Sequence, residues 1–169
     1  DGSLYEPDEK GRITIPFSTQ PGNVAAVVTQ GDFSCLRPFN HVGEKYQFEA
    51  AIYLDRESLT RSNKAKVLIR PSLKIAGGNP VPVAMLESPK LVVTATDLDG
   101  IATKKVIDGL KLSEALETIC EFVVPPRLSS VSLELSADLK VVSENKTQRM
   151  IARRNYQFNG IDKSDTIED

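Results

Sequence analysis

In the segment TDLDG, Asp97 and Asp99 stand two positions apart just ahead of Gly100. An EF-hand loop opens with carboxylates spaced in this way, which makes the pair a candidate calcium site. The residues that follow, Ile101, Ala102, Thr103 and Lys104, supply no side-chain ligand, so Asp108 or Glu114 would have to complete it. The plainer reading of the same residues is a hairpin turn. A Ser–His–Asp site would depend on His41, the one histidine of the chain. His41 lies in PFNHVGEK, read as a linker, and no nucleophile-elbow motif accompanies it. The two cysteines, Cys35 and Cys120, with that one histidine fall short of a four-ligand zinc site. They read as core thiols, or as one long-range disulfide in an oxidising compartment.

Other polar groups are equally unspecific. No spacing singles out two carboxylates for glycoside cleavage. Tryptophan is absent and aromatic residues make up 6% of the chain, which argues against a sugar-stacking platform. Asn145 opens the sequon Asn145-Lys146-Thr147 and is a candidate glycosylation site on an exposed loop. Arg149, Arg153 and Arg154 gather near Tyr156, either as a patch for an anionic partner or as a solvated strand face balanced by Asp162, Asp165, Glu168 and Asp169. There is no Gly-rich phosphate loop and no CxxC motif. These residues predict no catalytic group and no cofactor.

The net charge of −2 does not fit a nucleic-acid partner. No apolar run approaches the roughly 20 residues of a membrane-spanning helix. Both ends are polar, DGSLYEPDEKG and KSDTIED, and the chain is expected to be a piece of a longer protein or a mature chain after processing.

The elements that must position these residues are strands. In RLSSVSLELSADLKVV, Val131, Leu133, Leu135, Ala137, Leu139 and Val141 occupy every second position. That period of two predicts a strand with one face on a core and the other in water. GRITIPF alternates in the same way through Ile13, Ile15 and Phe17, and KYQFEAAIYLD through Tyr46, Phe48, Ala50, Ile52 and Leu54. AKVLIRPSLKIAG keeps one parity and is expected to be interrupted at Pro71. NVAAVVTQ, KLVVTATDLDG, KKVIDGLKL, TICEFVV and QRMIARRNYQF complete the set. Turn signals fall at Gly77-Gly78-Asn79-Pro80, Asp99-Gly100, Asp108-Gly109 and Asn159-Gly160. Pro125-Pro126 is expected to carry the chain from one sheet to the other. DRESLTRSNKAK is too polar for a core helix, and LSEALETI has room for about two helical turns. Strands at this spacing predict an all-β, antiparallel, Ig-like sandwich with a short N-terminal β unit. The expected organisation is a β unit at 1–42 that is part of, or packed on, a neighbouring β domain. The sandwich follows at 43–145, and 146–169 forms a final strand and a linker to a following domain.

VVTATDLDGIATKKVIDGLKL and CEFVVPPRLSSVSLELSADLKVV resemble a macroglobulin-type domain, an Ig-like sandwich in which a strand ending in an Asp-Gly turn is followed by another strand. In such domains an F-x-V-P segment leads into the final strand pair. PDEKGRITIPF is similar to the turn and strand of transthyretin-like or carboxypeptidase-regulatory-like modules. The resemblance covers Lys45 to Val142 and a short N-terminal piece. The Cys-x-x-Gln thioester motif of some family members is missing: Leu36-Arg37-Pro38 follows Cys35, and Glu121-Phe122-Val123 follows Cys120. The resemblance implies a modular, extracellular or cell-surface protein of stacked β domains, with no activity in this piece. The expected function is therefore a non-enzymatic structural or protein–protein interaction module of a larger multidomain protein. Its expected partners are other domains of the same chain and an unidentified protein. The alternatives are an accessory calcium- or carbohydrate-binding module of a larger enzyme, and a hydrolase built around His41.

Overall fold

The computed structural model describes residues 2–61 and 64–161. They divide into two compact units, Asp1–Lys45 with Val141–Lys146, and Tyr46–Lys140 with Thr147–Asp169.

The first unit is built on an antiparallel hairpin of β1 (Gly22–Gln30) and β2 (Phe33–His41), in register from Gly22↔His41 to Gln30↔Phe33. Gly31, at φ 57°, begins the two-residue connection, whose twist requires a positive φ. The strand expected at Gly11–Phe17 is not formed. Asp8 instead folds the chain back: its Oδ1 accepts from the N–H groups of Lys10 and Arg12, and its Oδ2 from Arg12 Nε. Beyond that turn, Pro16 lacks a ladder donor. Strand-like pairing is then limited to one parallel bridge, Ser18↔Gly43. In the same unit the buried Glu44 carboxylate accepts from the N–H groups of Val142 (3.0 Å) and Ser143 (2.6 Å).

The second unit is a sandwich. One sheet holds β3 (Tyr46–Leu54), β4 (Lys64–Ile75), β5 (Asn79–Val81) and β8 (Thr118–Val123), with β4 at its centre. The other runs in the order β10-β9-β6-β7, from β6 (Leu86–Asp97), β7 (Ala102–Ile107), β9 (Leu128–Val141) and β10 (Lys146–Ile161). Every strand pair with a defined register is antiparallel. The all-β Ig-like expectation is therefore met.

The alternating residues of β9 are 0–1% exposed from Val131 to Val141. Val131, Leu133 and Leu135 pack with Val67, Ile69, Leu91, Val93 and Phe122 into a core shared by both sheets. A second cluster around Leu73, Val83, Leu86, Leu139 and Met150 extends that core. β4 runs straight through Pro71 rather than breaking there. Pro71 faces Ala50 of β3 on one side. On the other side it falls between the stretch paired with β8, which ends at Ile69, and the stretch paired with β5, which starts at Leu73. No ladder donor is needed in that gap, so the missing N–H is tolerated.

Pro125-Pro126 does lie on the crossing from β8 to β9, between sheets. Three local expectations change. DRESLTRSNKAK contains a helix, α1 (Arg56–Arg61), capped by Asp55 Oδ1 accepting from Glu57 N–H and anchored by fully buried Leu59. LSEALETI forms no helix: residues 114–116 bend, with Ser113 Oγ accepting from the N–H groups of Ala115 and Leu116, and Thr118 and Ile119 begin β8. Asn159-Gly160 continues β10 instead of turning.

Candidate interaction surface

The inward parity of β3, β4 and β8 is occupied by the core, so the opposite parity forms the outer face of that sheet. Most of its residues are polar, but one row is not. Tyr53 of β3 pairs with Leu68 of β4, and Leu68 pairs with Ile119 of β8, so three apolar side chains lie side by side across the sheet. Tyr53 is 61% exposed and Ile119 is 62% exposed, while Leu68 is half-buried between them. Ala51 and Arg70 form the next row, where Arg70 Nη2 meets Glu117 Oε1 at 2.9 Å. Lys66 and Glu121 pair on the far side. Together Ala51, Tyr53, Leu68, Ile69, Arg70 and Glu117 line a shallow depression of about 350 Å³. An apolar centre with an aromatic anchor and a charged rim has the make-up of a protein contact.

Alternation along the core parity does not reveal this row. Ala51, Tyr53, Leu68 and Ile119 are apolar residues on the wrong parity of three different strands. That departure is the signal in the sequence, and only the register shows that it lines up.

The candidate chemical residues have structural partners. Asp97 Oδ1 accepts from Asp99 N–H (2.9 Å) and Ile101 N–H (2.8 Å), closing the β6–β7 turn around Gly100. Asp99 Oδ2 pairs with Arg127 Nη1 at 2.9 Å. Glu114 accepts from the N–H of Val83, away from that turn. No group of three or more His, Cys, Asp or Glu side chains suited to a metal ion occurs among the described residues. Asn145 occupies a left-handed position (φ 48°) in the turn between β9 and β10, a conformation asparagine adopts readily.

His41 ends β2 rather than lying in a linker. Its Nε2–H donates to the carbonyl of Pro16 (2.8 Å), and its ring tilts against Phe39. Cys35 and Cys120 are both free thiols. Burial pushes the Cys120 thiol pKa up, partly offset by nearby Lys105. The arginines of β10 are matched across the strand pair: Arg153 to Glu134 (2.8 Å), and Arg149 to Asp138 (3.5 Å) and Ser136 (3.0 Å). Arg154 lies over the Tyr156 ring. The acidic tail from Asp162 onward lies outside the described residues.

Residues 55–164 match the family model of the AbpF third immunoglobulin-like domain, a stretch that takes in α1 and every strand from β4 to β10. The chain belongs to this family. It is also 27% identical to Actin-binding protein F of Dictyostelium discoideum over 177 aligned residues. That alignment covers all of this chain and 7% of the Dictyostelium protein, so the chain spans a small fraction of the relative's length. No solved structure matches. Membership of the AbpF third Ig-like family agrees with the sandwich and its core. No helix among the described residues is long and apolar enough to cross a membrane.

Proposed function

We propose that this chain is a non-enzymatic interaction module of a larger, actin-associated multidomain protein, and that it contacts a protein partner through the outer face of β3, β4 and β8. The observation that carries this reading is the in-register row Tyr53–Leu68–Ile119, an apolar strip left in solvent on a mostly polar face. Association with actin is carried over from the Dictyostelium relative, Actin-binding protein F.

The same relative favours the cytoplasmic side of the membrane over the extracellular location implied by the macroglobulin-type resemblance. Two free thiols suit a reducing compartment. In that setting Asn145 serves as a turn residue and carries no glycan. The calcium- or carbohydrate-module alternative draws less support, since Asp97 is committed to two amides and Asp99 to Arg127. We place the sandwich from Tyr46 through β10, with the β1–β2 hairpin outside it.

Co-sedimentation with actin filaments tests this function. The chain is expected in the pellet at micromolar concentration, and the double variant Tyr53→Asp/Ile119→Asp in the supernatant with an unchanged circular dichroism spectrum. A wild-type chain that stays in the supernatant would remove direct filament contact and leave a spacer role.

A further inference from the structure

The β1–β2 hairpin has two unlike faces. Val24, Ala26, Val28, Phe33, Cys35 and Phe39 share one face with Gln30, Arg37 and His41 through the pairs Val24↔Phe39, Ala26↔Arg37, Val28↔Cys35 and Gln30↔Phe33. The other face carries Asn23, Thr29, Ser34 and Asn40 around an apolar middle of Ala25, Val27, Leu36 and Pro38. Apart from Gln30, Arg37 and His41 that first face is apolar and holds both phenylalanines of the hairpin, and a mainly apolar face is the pattern of strands that line a sandwich core. Yet none of these residues is buried, and Phe33 is 69% exposed. Two strands alone are marginal in water, so an uncovered apolar face of this length calls for a partner. The free edge of β1 points the same way, because GNVAAVVTQ contains neither a charge nor a proline to discourage a further strand.

We propose that the hairpin is the closing strand pair of an Ig-like domain that precedes this one in the parent polypeptide. Its occupant is the opposing sheet of that domain, which covers the Val24–Val28–Phe39 face, while a further strand pairs with β1. Three observations favour this partner over a second copy of the chain. The family match begins at residue 55, so the hairpin lies outside the domain that the family describes. The whole chain, hairpin included, aligns within a relative of which it covers only 7%, which leaves ample polypeptide beyond it. The matched family is by its name a third Ig-like domain, so Ig-like domains stand ahead of it in its protein. The proposal does not depend on the actin reading.

Amide hydrogen exchange tests it on two proteins: the 169-residue chain, and the same chain extended N-terminally along its parent polypeptide by about 100 residues, one Ig-like domain. Residues 22–41 are expected to exchange rapidly in the shorter protein and at least about a hundredfold more slowly in the longer one. Equal exchange in both overturns the proposal. Slow exchange of the hairpin that appears in the shorter protein only as its concentration rises also overturns it, and identifies a second copy as the occupant. A face-resolved pair of variants in the longer protein gives an independent reading. Val28→Asp is expected to lower the melting temperature of the added domain, and Thr29→Asp, on the other face, to leave it in place. Equal effects of the two variants refute the assignment of the core face.

Discussion

At the scale of single residues, the carboxylates of this protein shape turns. Asp97 accepts two backbone amides of the β6–β7 turn. Replacing it with alanine leaves those donors to water and should cost about 1–2 kcal/mol, measured by urea unfolding. Calcium is expected to leave the melting temperature where a chelator leaves it, because Asp97 and Asp99 already have partners.

Asp8 offers a pH test. The N–H of Arg12 holds its carboxyl below the usual aspartate value against an opposing desolvation effect, with the N–H of Lys10 and the Arg12 guanidinium adding smaller lowering effects. A lowered pKa in the folded state means that the turn is favoured above the ordinary aspartate range and weakens as pH falls through the lowered value. Carboxyl-carbon NMR should show Asp8 titrating below the same residue in a peptide copy of residues 5–15. The thiols should differ too: an alkylating probe at neutral pH is expected to label partly exposed Cys35 and spare Cys120 until unfolding or high pH.

At the scale of elements, the open seams of the sandwich are each closed by one side chain reaching the opposite sheet. On one seam Lys105 of β7 donates to the carbonyl of Glu121 in β8 (3.0 Å). On the other, Tyr156 of β10 donates its hydroxyl to the carbonyl of Ile52 in β3 (2.7 Å). Both acceptors are edge carbonyls, and an inward-reaching polar group on an edge also discourages pairing with foreign strands. Tyr156→Phe keeps the ring but loses the donor, and should destabilise by about 1 kcal/mol with an unchanged urea m-value. At this scale the alternating strands β3, β4 and β9 were legible from their side-chain period. GRITIPF was not, because its alternation has no partner ladder to join, and α1 was hidden because, among its described side chains, Leu59 alone is buried.

At the scale of the whole molecule, stability rests on the core between the two sheets. Leu133 is fully buried there, and Leu133→Ala is expected to cost about 2–5 kcal/mol in equilibrium unfolding. Ile119→Asp, on the outer face, should change stability far less while abolishing the proposed contact, which separates scaffold from surface.

The sequence by itself determined that β3, β4 and β9 are strands and which parity of each faces inward, because the pleat is local and acts over two to four residues. The tertiary structure alone decided which strands lie side by side. Pairing between residues as distant as Tyr53, Leu68 and Ile119 depends on register across the chain, so their shared strip cannot be read from any one segment. The same holds for Asp99, whose partner Arg127 reaches it from the start of another strand. The carboxylates that spacing alone marked as possible ligands became turn and ion-pair residues once folding brought their partners within reach.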